Sequence, residues 1–252
     1  MAEAGKGRLL GRHVIVTGAA SGIGKAISQL FHQEGAKLTL IDMNEAALLP
    51  VAKDLDAVAL PLDLGNAGAL ASAVDRAAAE MGGLDGLVNC AAIGIAKPID
   101  ETDLEMLSKY LAINLTAPYL LCRAALPHMR KTKGASIVNI ASGMGLLPNA
   151  PNNTAYAMTK AGIIGFTKAL AAEAAPAVRV NAIAPGVTGT PMITELIKGY
   201  NDPAEAPFVR QLAMKRVAEP VEIAHGVLFL LSDDASFVTG SALAVDGGRC
   251  YH

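Results

Sequence analysis

Short apolar runs rich in β-branched residues alternate along the chain with longer, alanine-rich segments in which apolar residues recur at helical spacing. The short runs predict seven strands, at 13–17, 37–41, 57–61, 85–89, 136–141, 178–183 and 242–245. The segments between them predict helices at 22–34, 44–54, 67–81, 103–130, 154–174 and 221–231, with a break near 116–118 that divides the fourth. Strands that alternate with helices predict a parallel sheet, because parallel neighbours need a crossover connection.

The predicted strands are continuously apolar, which is typical of strands that are covered by helices on both faces. The expected fold class is therefore α/β. No linker or low-complexity segment divides the chain, so we expect residues 1–252 to form a single domain. Residues 187–219 depart from the alternation and contain several glycines and prolines, and we interpret this stretch as a mobile lid over a substrate site.

Composition narrows the function classes. The chain has 252 residues, of which 52% are hydrophobic and 17% charged, and this balance excludes a disordered protein. A net charge of −2 gives no case for binding nucleic acid or an anionic membrane, and no apolar run reaches the length of a membrane span. The N-terminus has no apolar signal region, so a cytoplasmic protein is expected. The three cysteines and five histidines lack metal-ligand spacing, which argues against a metal site.

Three glycines, Gly18, Gly22 and Gly24, link the first predicted strand to the first predicted helix. Such glycines allow a tight turn, a close backbone approach to a pyrophosphate and close helix–strand packing, while the helix N-terminus offers free N–H groups. The spacing differs from the usual dinucleotide fingerprint, and a purely structural turn is the alternative. Asp42 favours a dinucleotide, because it ends the second strand 18 residues past Gly24 and can accept hydrogen bonds from a ribose.

Tyr156 and Lys160 are four residues apart in a predicted helix, so their side chains share one face. A nearby ammonium favours the phenolate and is expected to lower the pKa of Tyr156, which would allow proton exchange near neutral pH. Considered alone, the two residues are better explained as a surface pair.

Two further polar residues are candidates for the same chemistry. Ser142 follows the fifth strand, 14 residues before Tyr156. Its hydroxyl could hold a substrate carbonyl or simply cap the following segment. Asn114 interrupts an apolar helix and either marks a kink or relays protons from Lys160 to solvent.

Taken together, Thr17-Gly18-x-x-x-Gly22-Ile23-Gly24, Ser142, Tyr156-x-x-x-Lys160 and Pro185-Gly186 resemble the short-chain dehydrogenase/reductase family, from about residue 9 to residue 248. The resemblance implies a single-domain Rossmann fold with a seven-stranded sheet. It also implies hydride transfer between a nicotinamide and an alcohol or ketone carbon, usually in a homotetramer.

The resemblance also implies a role for each matching residue. Tyr156 would be the general acid/base, Ser142 would orient the carbonyl, Lys160 would bind the nicotinamide ribose, and Asn114 would hold a relay water. Asn89 and Ala91 would line the adenosine side, Asp63 and Leu64 would flank the adenine, and the Thr188 backbone and Thr190 side chain would hold the carboxamide. The expected cofactor contacts are Gly18, Ser21, Gly22, Ile23, Gly24, Asp42, Met43, Asp63, Leu64, Asn89, Ala91, Tyr156, Lys160, Pro185, Gly186, Thr188 and Thr190.

The chain departs from the family pattern at three positions. Cys90 stands where the family usually has an asparagine, which puts the structural role of that side chain in doubt. Ala92 replaces a glycine and should narrow the pocket beside the nicotinamide or shift the backbone. Thr188 replaces an aliphatic residue, a harmless change if only backbone atoms contact the cofactor.

The cofactor is expected to be NAD, preferred over NADP by at least about tenfold. Asp42 would repel a 2′-phosphate, and Ser21 occupies a position where NADP-using relatives often carry a cation. The segments expected near the substrate, 93–96, 144–147, 149–153 and 187–214, are mostly apolar and contain no cluster of Arg or Lys. We therefore expect an apolar secondary alcohol or ketone. The alternatives are a 3-oxoacyl reductase acting on an acyl carrier, and a non-catalytic sensor of the dinucleotide.

Overall fold

The structure of the chain, a computed structural model, describes residues 7–250. Its centre is a seven-stranded, all-parallel sheet, as the strand–helix alternation predicted. The strands are β1 (His13–Thr17), β2 (Lys37–Asp42), β3 (Val58–Pro61), β4 (Gly86–Asn89), β5 (Ala135–Ile140), β6 (Val178–Pro185) and β7 (Ala242–Val245). They lie side by side in the order β3-β2-β1-β4-β5-β6-β7.

Helices cover both faces of this sheet. They are α1 (Gly22–Gln33), α2 (Glu45–Asp54), α3 (Leu70–Met81), α4 (Leu104–Leu111), α5 (Ala117–Met129), α6 (Gly143–Leu146), α7 (Thr154–Ala174), α8 (Pro191–Ile197), α9 (Pro207–Arg210) and α10 (Pro220–Leu231). Successive side chains of a strand point to opposite faces. In β1, Val14 and Val16 pack with α1, α2 and α10, whereas Ile15 packs with α3, α5 and α7. This two-sided burial explains why the strands are continuously apolar.

The strand order reverses beside β1, which pairs with β2 on one side and with β4 on the other. The chain therefore leaves the carboxyl ends of β1 and β4 in opposite directions and opens a crevice between them. Ligands of doubly wound sheets bind at this switch point. The first glycine of the turn, Gly18, and the segment that follows Asn89 both lie there.

The predicted division of the fourth helix is present, but the chain does not leave the helical path there. The α-helical pattern is interrupted by a π-helical turn, Ala112–Thr116, which joins α4 to α5. Pro118 lies in the first turn of α5, where it lacks an N–H and would crowd the carbonyl four residues earlier, that of Asn114. The wider turn accommodates the proline without ending the helix.

The predicted lid segment, 187–219, forms a small substructure of its own. Its two ends are joined, because Gly189 N donates to Ala218 O and Ala218 N donates to Val187 O, each at 2.9 Å. Between these ends, α8 and α9 enclose a separate apolar cluster that includes Val209 and Leu212. Within residues 7–250, no helix has both the length and the apolar character needed to cross a bilayer.

Candidate active site

Two glycines of the turn after β1, Gly18 and Gly24, are packed too closely against the backbone to carry a side chain. Gly18 has a φ of +69°, and a Cβ placed on it would lie 2.9 Å from the backbone nitrogen of Ala91. A Cβ on Gly24 would lie 2.1 Å from the carbonyl oxygen of Gly18. The turn can therefore take this form only with glycine at both positions.

The rest of the turn suits a dinucleotide. Ser21 begins α1 without a side-chain cap, so the first N–H groups of the helix keep their capacity to bind an anion. The Asp42 carboxylate accepts from Ala20 N (3.1 Å) and Asn44 N (2.9 Å), and these bonds hold it beside the turn. This donor and acceptor set fits a pyrophosphate at the helix and a ribose at the carboxylate.

Thr17 holds the neighbouring strand end in place. Its Oγ1 accepts hydrogen bonds from Cys90 N (3.0 Å) and Ala91 N (3.1 Å), which ties the end of β1 to the segment after β4. The side chain of Asn89 points away from the crevice and donates to Asn139 Oδ1 (2.8 Å) inside the sheet. The Asn89 side chain is therefore held in the interior through its amide nitrogen, while its Oδ1 has no partner among the described residues.

The Cys90 side chain behaves as an apolar group. It packs against the core cluster on the face of α1, and burial raises the pKa of its thiol to about 12. The thiol therefore stays protonated at neutral pH. Because the backbone N–H makes the bond to Thr17, the local structure does not require an asparagine side chain here.

Lys160 projects from α7 into the protein interior. Its side chain is 3% exposed, and Nζ donates to the carbonyl oxygen of Ile140 at 2.8 Å. Nζ also lies 5.8 Å from the centroid of the Tyr156 ring. Burial lowers the pKa of Lys160 to about 8. The predicted pairing of phenol and ammonium on one helix face is therefore present.

Ser142 has the capping role that the sequence left open, and its role in holding a substrate carbonyl stays a prediction. Its Oγ accepts from Met144 N at 3.1 Å and so caps α6. It also forms a hydrogen bond with the Tyr156 phenol, which lowers the pKa of Tyr156. The fifth strand end and α7 thus bring hydroxyl, phenol and ammonium together.

The expected lowering of the Tyr156 pKa is wrong for the chain by itself. Burial of the phenol is the largest influence and raises its pKa, because a phenolate loses its hydration. The bond from Ser142 and the positive charge of Arg249 oppose this effect without reversing it. The Lys160 ammonium is itself desolvated and bonded to a carbonyl.

Asn114 clamps the segment that follows β4. Its side-chain oxygen accepts from Ile93 N (2.9 Å), and its amide donates to Ile93 O (2.9 Å) and Thr159 Oγ1 (3.2 Å). The π-helical turn places this buried amide against the site. In the structure, Asn114 positions the backbone of Ile93 by hydrogen bonds. Its role in holding a relay water stays a prediction.

The other predicted cofactor residues surround the crevice at its strand ends. Pro185 ends β6, and Gly186 follows it in close contact with Asp246. Thr188 Oγ1 donates to Gly186 O at 3.1 Å, so that side chain is used locally. The methyl group of Thr190 lies over Gly22, where a Cβ would be 3.1 Å away.

The remaining four predicted residues differ in how far they are available to a ligand. Met43 is 69% exposed just past β2. Asp63 Oδ1 accepts from Gly65 N at 2.8 Å. Leu64 is buried in the core cluster shared with α3, which leaves its side chain unavailable to a ligand. Ile23 packs its side chain against the core cluster on the opposite face of the sheet.

Sequence reasoning missed three side chains that shape the site. The Tyr110 hydroxyl bonds both the N–H and the carbonyl of Ile95, each at 2.5 Å. Arg249 follows the last strand and reaches back to Met144. Thr17 was quoted only as part of a motif. An aromatic at helical spacing resembles core, and an arginine after the last element resembles surface, so neither gave a signal.

Comparison with known proteins assigns the family. A family sequence model described as enoyl-(acyl carrier protein) reductase matches residues 18–250. Cyclopentanol dehydrogenase of Comamonas sp. is 39% identical over 248 residues, which are 96% of this chain and 98% of that protein. Cis-4-hydroxycyclohexanecarboxylate dehydrogenase of Sinomonas cyclohexanicum is 39% identical over 243 residues, 94% of this chain and 96% of that protein.

A solved structure from Brucella melitensis, described as a short-chain dehydrogenase/reductase of the glucose/ribitol dehydrogenase type, superposes with a TM-score of 0.91. It is 36% identical and covers 98% of this chain and 100% of its own. The agreement extends over the sheet, the crevice and α7 together. The chain therefore belongs to the short-chain dehydrogenase/reductase family, whose members use a nicotinamide dinucleotide.

Proposed function

We propose that this chain is an NAD-dependent dehydrogenase that interconverts a ring-bearing secondary alcohol and its ketone. One observation carries the proposal: the Tyr156 phenol is hydrogen-bonded to Ser142 and lies beside the Lys160 ammonium, next to a crevice whose glycine turn suits a dinucleotide. A protein that only bound the dinucleotide would have no need for this set.

The cofactor would be held by groups at the ends of β1, β2 and β6 and by Lys160 of α7. The first N–H groups of α1 suit the pyrophosphate, and the Asp42 carboxylate suits the two hydroxyls of an adenosine ribose. Asp42 would repel a 2′-phosphate in the same place, and this supports NAD over NADP. Lys160 would donate to the nicotinamide ribose, and Thr188 and Thr190 would lie against the carboxamide.

Proton transfer in the proposed reaction falls to Tyr156. When bound, oxidised NAD supplies the hydride acceptor for the carbinol carbon and a positive charge beside the phenol. Tyr156 Oη accepts the hydroxyl proton as the carbonyl forms, and Ser142 Oγ holds the oxygen from which that proton leaves. The Ser142 bond and the charge of Arg249 both favour the phenolate that accepts the proton. In the reverse direction the same Oη returns the proton to the alkoxide oxygen.

The substrate class is supported by the apolar walls of the site and by the relatives. Met192, from α8, lies against Gly94, whose added Cβ would be 3.0 Å from Met192 Sδ and 3.3 Å from the Tyr156 ring. Met144 is buried beside Ser142. Both curated relatives compared above are named for a hydroxyl on a saturated ring. Apolar walls beside the phenol fit such a ring.

The segment 187–219 would act as the lid of this site. Thr190, which precedes α8, contacts the glycine turn, and Met192 of α8 lies on the substrate side. Because its ends are joined at Thr188 and Ala218, the segment can move as a unit about that point. We place it within a single catalytic domain that spans the chain.

We also propose that the protein is a homotetramer. The last strand, β7, lies at one edge of the sheet with partly exposed apolar residues, and Phe237 is exposed shortly before it. An uncovered edge of this kind favours contact with another copy. Size-exclusion chromatography with light scattering tests this, and a monomer would contradict it.

A reductase of acyl-carrier substrates is the second candidate, because the matching family sequence model is described as such an enzyme. The deciding experiment follows the nicotinamide absorbance with cyclopentanol and cyclohexanol, NAD and NADP, and a 3-oxoacyl thioester with the reduced cofactors. We expect oxidation of the ring alcohols with NAD. Turnover of the thioester alone would overturn the proposed substrate class, and an equal rate with NADP would overturn the cofactor.

A further inference from the structure

The segment after β7, Asp246–Cys250, closes the substrate side of the site. The Asp246 carboxylate accepts from Gly248 N (2.9 Å) and Cys250 N (2.8 Å), which folds the segment back on itself. Met214 N, from the lid segment, donates to Gly247 O at 3.0 Å. The segment is thus held between the lid and the strand end that carries Ser142.

Arg249 extends from this segment into the site. Its Cδ would lie 3.5 Å from a Cβ placed on Gly143, the residue next to Ser142. Its Nη2 donates to Asn149 Oδ1 at 2.5 Å and lies 2.9 Å from Met144 Sδ. Asn149 is exposed and Met144 is buried, so the guanidinium lies where the apolar wall meets the mouth of the site.

The described part of the chain provides little to balance this cation. Arg249 has no carboxylate within 4 Å among residues 7–250, although four of the other eight arginines have one there. The nearest acid in sequence, Asp246, is occupied by backbone N–H groups. Arg249 Nε is buried and has no acceptor among those residues. A half-buried guanidinium with one amide oxygen and one thioether as neighbours has unused donors, and carboxylates are the partners that fit its planar fork.

The cation acts on the same site as the phenol. Its positive charge lowers the pKa of Tyr156, so the two groups are within electrostatic reach of one another. The segments expected near the substrate contain no cluster of Arg or Lys, because Arg249 lies 30 residues beyond the end of the lid segment and becomes part of the site only through folding. A single arginine is enough to bind one carboxylate in a largely apolar pocket.

We propose that Arg249 is a specificity-determining residue that binds a carboxylate on the substrate, so that the natural substrate is a ring-bearing hydroxy acid. This inference rests on the proposed function. The ring would lie against the apolar wall, with its hydroxyl at Ser142 and Tyr156. The carboxylate would lie at the mouth, on the guanidinium. The arrangement orients the substrate, since only one end of it can meet each polar group.

The test compares an acid with its methyl ester, which keeps the ring and the hydroxyl but removes the negative charge. Wild type, Arg249→Met and Arg249→Lys are assayed with NAD on 4-hydroxycyclohexanecarboxylate, as cis and trans isomers, and on the corresponding methyl esters. Arg76→Met is the matched control, because Arg76 is an exposed arginine of α3 that pairs with Glu80. We expect wild type to favour the acid over the ester by at least about tenfold in kcat/KM.

The variants distinguish loss of carboxylate binding from a general disturbance of the site. At a pH on the plateau of each variant's profile, where the shift in the Tyr156 pKa no longer affects the rate, Arg249→Met should lose at least about 30-fold in kcat/KM on the acid, mainly through KM. The loss on the ester should be less than about threefold. Arg249→Lys should recover part of the loss, because it keeps the charge but not the fork. Arg76→Met should match wild type on both substrates.

Two other results would overturn the proposal, and they differ in what else they overturn. If wild type oxidises the ester at least as well as the acid, or if Arg249→Met loses equally on both, the anion site is wrong while the dehydrogenase assignment stands. If neither these compounds nor the simple ring alcohols are oxidised, both the inference and the proposed function fail.

Discussion

The buried Lys160 should make the stability of this fold depend on pH within a defined window. Its ammonium is desolvated, and burial lowers its pKa from the ordinary 10.5 to about 8. At neutral pH the folded chain therefore carries a protonated amine that its surroundings disfavour by about 3 kcal/mol relative to the neutral form. This magnitude follows from the difference between the two pKa values.

The direction of the effect follows from proton counting. Between pH 8 and pH 10.5 the folded chain holds Lys160 largely neutral, while the unfolded chain still holds it protonated. The unfolded state binds more protons in this window, so the free energy of unfolding contributed by Lys160 rises as pH increases. Below about pH 8 both states are protonated, and the burial cost is present in full and constant.

The measurement compares Tyr156→Phe with Tyr156→Phe/Lys160→Met. The phenylalanine background removes a phenol that would titrate in the same range. Urea unfolding at about pH 7 and about pH 10, at equal protomer concentration, gives the two free energies of unfolding. Other lysines and tyrosines cancel in the difference. The lost Nζ bond to Ile140 lowers the double variant's stability by a similar amount at both pH values.

The difference in the free energy of unfolding, Tyr156→Phe minus the double variant, should rise by about 2–3 kcal/mol from pH 7 to pH 10. A difference that does not change with pH would show that Lys160 keeps an ordinary pKa, and the argument from its burial would be refuted. A gain in the opposite direction would mean that the fold stabilises the ammonium.

Three further predictions concern cofactor choice, the site wall and the proton-transfer pH. Asp42→Ser should reduce the NAD preference by about tenfold, measured as the ratio of kcat/KM for NAD to that for NADP, and an unchanged ratio would contradict the role of the carboxylate. Gly94→Ala places a methyl 3.0 Å from Met192 Sδ and 3.3 Å from the Tyr156 ring, so kcat on a ring alcohol should fall by about tenfold with the melting temperature nearly unchanged. A kcat within about twofold of wild type would contradict this, because it would show that Met192 moves to make room for the methyl group. Arg249→Met removes a charge that lowers the Tyr156 pKa, so the acid limb of the pH profile for a neutral alcohol should move to higher pH, and a shift to lower pH would contradict this.

The layout of the fold could be predicted because its signals are local. Parallel strands covered on both faces must be apolar at successive positions, and the runs at 13–17 and 242–245 coincide with β1 and β7. The division of the fourth helix was predicted at about the right place, but its form was not. A π-helical turn before Pro118 is an alternative that hydrophobic periodicity does not reveal.

The residues of the candidate site likewise fall into those that local spacing predicts and those that it does not. Gly18, Gly24 and the pair formed by Tyr156 and Lys160 follow from spacing within one turn or one helix. Residues brought in by tertiary contact do not. Tyr110 reaches Ile95 across a loop, and nothing in its own helix distinguishes it from a core aromatic.

Electrostatics was the least predictable property. The sequence places an ammonium near a phenol, and the sign of the pKa change then depends on how deeply the phenol is buried. In the folded chain burial outweighs the favourable contacts, so the pKa of Tyr156 is raised and that of Lys160 is lowered. Only coordinates give the desolvation of each group.

The claim on which the mechanism depends is that the Tyr156 phenol transfers the substrate proton. Tyr156→Phe keeps the ring and removes only that hydroxyl, so it should lower kcat on a ring alcohol by at least about a hundredfold. The dissociation constant for NADH, measured by fluorescence titration of the same preparation, should stay within about threefold of wild type. If the variant retains kcat to within about tenfold while binding NADH normally, another group moves the proton and the account of this site is wrong.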